Sequence, residues 1–221
     1  MVLAREDVAA GIGPEWAAFA ELVRSLDADQ WARPTRCAGW TVGDVAAHVA
    51  GSLTDITTGN LEGQGTPEVT GRQVAERKGR SPEELADEID AAAKIGGDLL
   101  AAFDDDAWAG PSPGGFDFTL GFGVQSLWYD AYLHADDIRA AIGQPTVQSD
   151  GLRAGVDHVA DSLEQRGWGP ATLAFDGLDE RAIGGQGGPR ITGDAFQFVL
   201  VGTGRADPST LGLDPTVNIY A

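Results

Sequence analysis

Four stretches between Pro14 and Ile142 repeat apolar side chains at helical spacing, each closed off by capping residues, glycine or proline, and this pattern restricts the first two thirds of the chain to a helical bundle. The first spans Pro14 to about Leu26, with Trp16, Phe19, Ala20 and Val23 on one face. Thr41 can cap the second, which carries Val42, Val45, Val49, Leu53 and Ile56 and ends near Thr58. Ser81-Pro82-Glu83-Glu84 joins an N-cap, a proline at the first helical position and a capping-box carboxylate, and Leu85, Ile89, Ala92, Leu99 and Phe103 follow. The fourth runs from about Thr119 to Ile142, where Gly143 and Pro145 stop it.

The segments between are expected to be less regular. Asp27 to Gly39 reads as a loop, and Gly59 to Arg80 as a mobile connection with a short helix at most around Val74. After Pro145 the texture changes. One more helix, Asp150 to Gln165, precedes short apolar runs at Ala171 to Phe175, Phe196 to Val201 and Val217 to Tyr220, which read as strands. The expected fold class is therefore α+β. A four-helix bundle over residues 1–144 is followed by a small α+β domain over residues 145–221.

At 221 residues, with 43% hydrophobic and 22% charged side chains, the chain can bury a proper core. Its 34 acidic against 15 basic residues give a formal charge of -19, which would repel nucleic acid and anionic membrane surfaces. Cys37 is the only cysteine, so no internal disulfide can form. Met1 to Asp7 shows no signal-peptide pattern and no apolar run approaches membrane length, so cytoplasm is the expected location.

The chemistry concentrates on three residues. His48 flanks Val45 and Val49 on the second helix, which turns its imidazole inward. On the fourth helix His134 lies in the stripe Leu127, Ala131, Ile138, and Asp130 precedes it by one turn, a spacing at which two side chains can chelate one ion. A carboxylate one turn from a histidine is often a surface contact, and an inward histidine is often a hydrogen-bonded core residue. Three polar groups in a mostly apolar interior are costly without a shared partner, and a divalent metal would be one. Spacing leaves both readings open. Trp31 and Trp40 read as packing residues, Cys37 as a small buried thiol, His158 as exposed, and the glycines at 184, 185, 187 and 188 as a loop rather than a phosphate cradle.

A resemblance extends this reading. Trp31, the block Pro34-Thr35-Arg36-Cys37-Ala38-Gly39-Trp40-Thr41-Val42-Gly43-Asp44-Val45-Ala46-Ala47-His48, and then Asp130 with His134-Ala135-Asp136-Asp137-Ile138-Arg139 resemble the mycothiol-dependent maleylpyruvate isomerase family, within the wider DinB-like superfamily. The resemblance implies a DinB-like four-helix bundle with a metal held by His48, Asp130 and His134. Members usually carry glutamate where this chain has Asp130, one methylene shorter. Phe198-Val199-Leu200-Val201-Gly202-Thr203-Gly204-Arg205 is similar to the family's strand ending in Gly-Arg. That implies a catalytic role for Arg205 towards an acidic substrate at a cleft between the domains, a task suited to a planar guanidinium.

The implied activity is a metal-dependent, mycothiol-using isomerase or S-transferase acting on a small, acidic, electrophilic molecule. Zinc is the preferred ion, and nickel, iron or manganese suit the same nitrogen and oxygen donors. The expected partners are the small-molecule substrate and the low-molecular-weight thiol, with the chain a monomer or homodimer. The alternatives are a metal-dependent hydrolase, lyase or specialised biosynthetic isomerase without a thiol, or a ligand-binding protein without catalysis.

Overall fold

The structure, a computed structural model, describes residues 3–221; Met1 and Val2, part of the opening stretch read above for targeting signals, lie outside the described residues. Two compact units are present, one running through Gly151 and the other Leu152–Ala221.

In the first unit four long helices form the bundle: α1 (Arg5–Arg24), α3 (Val42–Thr57), α5 (Pro82–Ala102) and α7 (Leu120–Ile142), with short α2 (Ala28–Trp31), α4 (Pro67–Glu76) and α6 (Asp105–Ala109) in the connections. Helices α1 and α3 each pack against both α5 and α7, α4 packs on α3, and α6 on α7. The capping signals act as the sequence suggests. Thr41 and Asp44 close a reciprocal box at the start of α3, and Ser81 and Glu84 another at α5. Thr119 caps α7 through the Phe122 amide, and Gly143 ends it with φ 77°, a left-handed conformation that suits glycine.

Two expectations for this unit are corrected. The first helix starts at Arg5 and carries Pro14 inside it, because Val8 and Ile12 add a further buried stretch ahead of the proline. The connection from 59 to 80 contains a ten-residue helix, α4, that is fastened down. Arg77, 7% exposed, pairs with Glu88 of α5 at 2.5 Å, and Arg72 pairs with Asp55 of α3 at 2.7 Å. Gly51 permits this docking, since a Cβ there would stand 2.6 Å from Gln73 Cβ.

In the second unit α8 (Gly151–Gln165) is followed by three short strands, β1 (Ala171–Leu173), β2 (Arg181–Ile183) and β3 (Arg190–Ile191), and by α9 (Ala195–Gly202). The sheet order is β2-β1-β3, with β1 antiparallel to β2 and parallel to β3. The glycines at 184, 185, 187 and 188 lie in the loop between β2 and β3. Arg181 ties β2 to Asp157 and Asp161 of α8.

Residues 196–201, expected as a strand, are helical. A short apolar run buried on several sides has no distinctive period. Asp194 caps the Phe196 amide, and Phe198, Val199 and Val201 are almost fully buried in the helical form. Residues 217–220 are likewise no strand: a 3-10 turn at Pro215–Val217, capped by Asp214, leads into an irregular end. No helix among the described residues is long and apolar enough to cross a membrane.

Candidate metal centre

The Thr41 cap sets the phase of α3, and that phase carries His48 to the buried side, 8% exposed. Helix α7 is continuous through Asp130 and His134, so the two side chains stack one turn apart. The structure brings these three residues together. Their donor atoms all lie within 4.8 Å of one another, with His134 Nε2 3.4 Å from Asp130 Oδ1 and His48 Nε2 3.7 Å from Asp130 Oδ2. Donors about 2.0–2.2 Å from a tetrahedral ion stand roughly 3.3–3.6 Å apart. One measured spacing lies inside that range and the other just above it, so the side chains would have to draw together somewhat to hold a divalent ion.

The outer nitrogens of both rings are engaged. His134 Nδ1 lies 2.9 Å from Asp137 Oδ2, and His48 Nδ1 lies 2.9 Å from Gln73 Oε1. Both partner atoms are acceptors, so each Nδ1 is placed to donate to them, and each Nε2, facing the Asp130 carboxylate, is the nitrogen that would offer its lone pair to a bound ion. The imidazoles meet edge to face at 5.2 Å, and the Trp40 indole lies 5.2 Å from the His48 ring and 6.5 Å from that of His134, walling one side of the group.

Electrostatics favour positive charge here. Burial opposes ionisation of Asp130, yet His134 and His48 outweigh it and hold the carboxyl well below the usual carboxylate range. Burial likewise opposes a charge on His134, but Asp130, Asp137 and Cys37 together raise its pKa well above the ordinary imidazole value. The positive charge these carboxylates favour is held here by the His134 imidazolium between Asp130 and Asp137.

Several supporting residues were not singled out by sequence reasoning. Asp137, fully buried, accepts from His134, from Cys37 Sγ at 3.2 Å and from Arg36 Nε at 3.1 Å, while Arg36 Nη2 reaches Asp136 at 2.5 Å. Its position three residues after His134 was a readable signal. Gln73 had none, because its role depends on the docking of α4. Cys37, read as buried, is half-buried against Asp137.

Beyond Gln73 lies Asp55, which accepts from Arg72, Gln73, Gln64 and Asn60. Burial pushes against its ionisation, but Arg72 and the three amides bring the pKa down to about 2. A folded value below the unfolded one means stability that is present above the unfolded pKa and lost as pH falls through the folded one. The shift is worth on the order of 2 kcal/mol. Asp55→Asn is expected to flatten the loss of stability between pH 5 and pH 2, read from denaturant unfolding at each pH.

Arg205 belongs to the second unit. It is half-buried, directly after the short turn that follows α9, and its Nη1 reaches Thr203 O at 3.5 Å. His158, expected to be exposed, is half-buried on α8.

Residues 12–139 match the family described as the mycothiol maleylpyruvate isomerase N-terminal domain. Among solved structures, the chain is similar to the mycothiol-dependent maleylpyruvate isomerase, at 17% identity with a TM-score of 0.66, and to a histidine-to-alanine mutant of that enzyme, at 16% and 0.65. In both cases 96% of each chain is covered, so the fold is shared across nearly the whole length. No curated protein matches the sequence.

Proposed function

The chain belongs to the mycothiol maleylpyruvate isomerase N-terminal domain family, and from that premise we propose that it is an enzyme using a metal ion and a low-molecular-weight thiol, mycothiol, either to isomerise a small acidic electrophile or to transfer the thiol to it. The observation that carries the reading is the gathering of the two Nε2 atoms and the Asp130 carboxylate within 4.8 Å of one another, with both Nδ1 atoms tied back.

His48, Asp130 and His134 would hold the ion, zinc by preference, with residues 1–144 as the metal-binding domain and 145–221 as the smaller α+β domain. Bound there, the ion supplies Lewis acidity that favours thiolate at neutral pH, a nucleophile for cis-trans isomerisation if the adduct reverts or for S-transfer if it persists. The protein's own groups do the rest. Asp130 contributes the anionic donor, Asp137 and Gln73 hold the imidazoles in the ligating tautomer, and Trp40 shields the rings from water on one side. Arg205 is assigned to the substrate carboxylate, which a guanidinium can grip with two parallel hydrogen bonds. A reduced thiol cofactor fits a cytoplasmic location.

The test is a thermal-shift titration of the metal-loaded protein with mycothiol. Binding to the native state is expected to raise Tm in a concentration-dependent way, and prior chelation should abolish the rise. A metal-loaded protein that ignores mycothiol would overturn the thiol reading and favour a metal-dependent hydrolase or lyase.

A further inference from the structure

We propose that Asp55 and Gln73 act as a relay that fixes the tautomer of His48, which makes α4 a working part of the centre rather than a connection. The inference rests on His48 being a metal ligand and names what positions it. Gln73 is fully buried, and its two ends face different partners. Its Nε2 donates to Asp55 Oδ2 at 2.8 Å and to Gln64 Oε1 at 3.1 Å, while its Oε1 faces His48 Nδ1 at 2.9 Å.

An amide taken alone can sit either way round. Here the carboxylate decides. Asp55 has only acceptor oxygens to offer, and it already gathers Arg72 at 2.7 Å, Asn60 at 3.0 Å and Gln64 at 3.1 Å. Turning the amide over would set its oxygen against that carboxylate and against Gln64 Oε1, losing two hydrogen bonds. The NH2 group must therefore face Asp55, the oxygen must face His48, and in the neutral ring the imidazole proton sits on Nδ1, 2.9 Å from that oxygen, rather than on Nε2, 3.7 Å from Asp130. The lone pair then remains on Nε2, the atom aimed at Asp130. With the amide reversed, the proton would move to Nε2 and block the ligand position. Histidine ligands are commonly oriented by such an outer acceptor; in this chain the orientation is dictated from two residues away.

The relay exists only while α4 is docked. Gly51 admits Gln73 close to the α3 backbone, and the Arg72–Asp55 and Arg77–Glu88 pairs fasten the helix on either side of it. Gln73→Leu keeps the bulk and removes both polar ends. Asp55→Asn combined with Gln73→Glu reverses the donor order between the two positions but still offers His48 an acceptor.

The test joins two measurements. Nitrogen chemical shifts of the His48 ring in metal-free protein, at a pH where the ring is neutral, should report the Nδ1–H form in the wild type and a shift towards Nε2–H in Gln73→Leu. Zinc affinity by chelator competition should fall about 10–100-fold in Gln73→Leu and in Asp55→Asn, and the double variant should recover most of the loss. A bulk packing role for the two residues would give no such recovery. A wild-type ring in the Nε2–H form, or zinc affinity unchanged by Gln73→Leu, overturns the relay alone. Wild-type protein that takes up no zinc overturns the metal reading itself, and the ring tautomer still decides the relay.

Discussion

Replacing His134 with alanine is expected to give folded protein that carries no stoichiometric zinc after gel filtration, measured by elemental analysis. His134 is the residue on which both halves of the arrangement depend. Its Nε2 faces Asp130 at 3.4 Å and its Nδ1 is held by Asp137 at 2.9 Å. Two donors, His48 and Asp130, would remain, fewer than catalytic or structural zinc sites employ. The loss of affinity should exceed the roughly 10–100-fold that removal of an outer partner costs. Truncation also leaves Asp130 and Asp137 without the imidazole between them, so His134→Gln is the companion variant. It restores hydrogen-bonding capacity and some bulk without a good zinc ligand, and it should be folded by circular dichroism yet equally metal-free. A fully metallated alanine variant would refute the site.

What could be read from the sequence was what is decided locally. The caps at Thr41, Ser81 and Thr119 and the stop at Gly143 are short-range hydrogen-bonding choices, and each appears where its residue type predicts. Helical phase then sets which residues face inward, so the gathering of His48 with Asp130 and His134 needed only the additional fact that α3 and α7 are neighbours. The errors lie where tertiary burial decides. The run from Phe196 to Val201 has the β-branched content of a strand, but it is buried on more than one side and capped by Asp194, and the helix prevails. Pro14 looked like a helix start because its missing N–H is harmless there; Val8 and Ile12, fully buried, carry the helix through it instead. The outer partners of the centre divide in the same way. Asp137 was within reach of a spacing argument, whereas Gln73 enters through a glycine-rich connection whose docking depends on the long-range pairs of Arg72 and Arg77.

Asp137 provides the second large effect, because one carboxylate serves three donors. Asp137→Ala should weaken zinc binding by about 10–100-fold, since His134 loses the acceptor that fixes its ring. It should also lower the stability of the metal-free protein by about 2–4 kcal/mol, as the His134 Nδ1 and the Cys37 thiol lose a buried partner. The figure stays below that of a fully severed buried pair. Arg36 is 26% exposed and retains Asp136 at 2.5 Å, so its charge is neither unpaired nor fully desolvated. Arg36→Met makes the contrasting case. It strands the carboxylates of Asp136 and Asp137, 5% and 0% exposed, without their cation but leaves the bond from His134 to Asp137 in place. Stability in urea should therefore fall at least as far as in Asp137→Ala, while zinc affinity by chelator competition falls less. If the two variants lose affinity in proportion to their stability, Asp137 only anchors the 33–40 loop. If affinity falls selectively in Asp137→Ala, the carboxylate acts on the metal through the histidine.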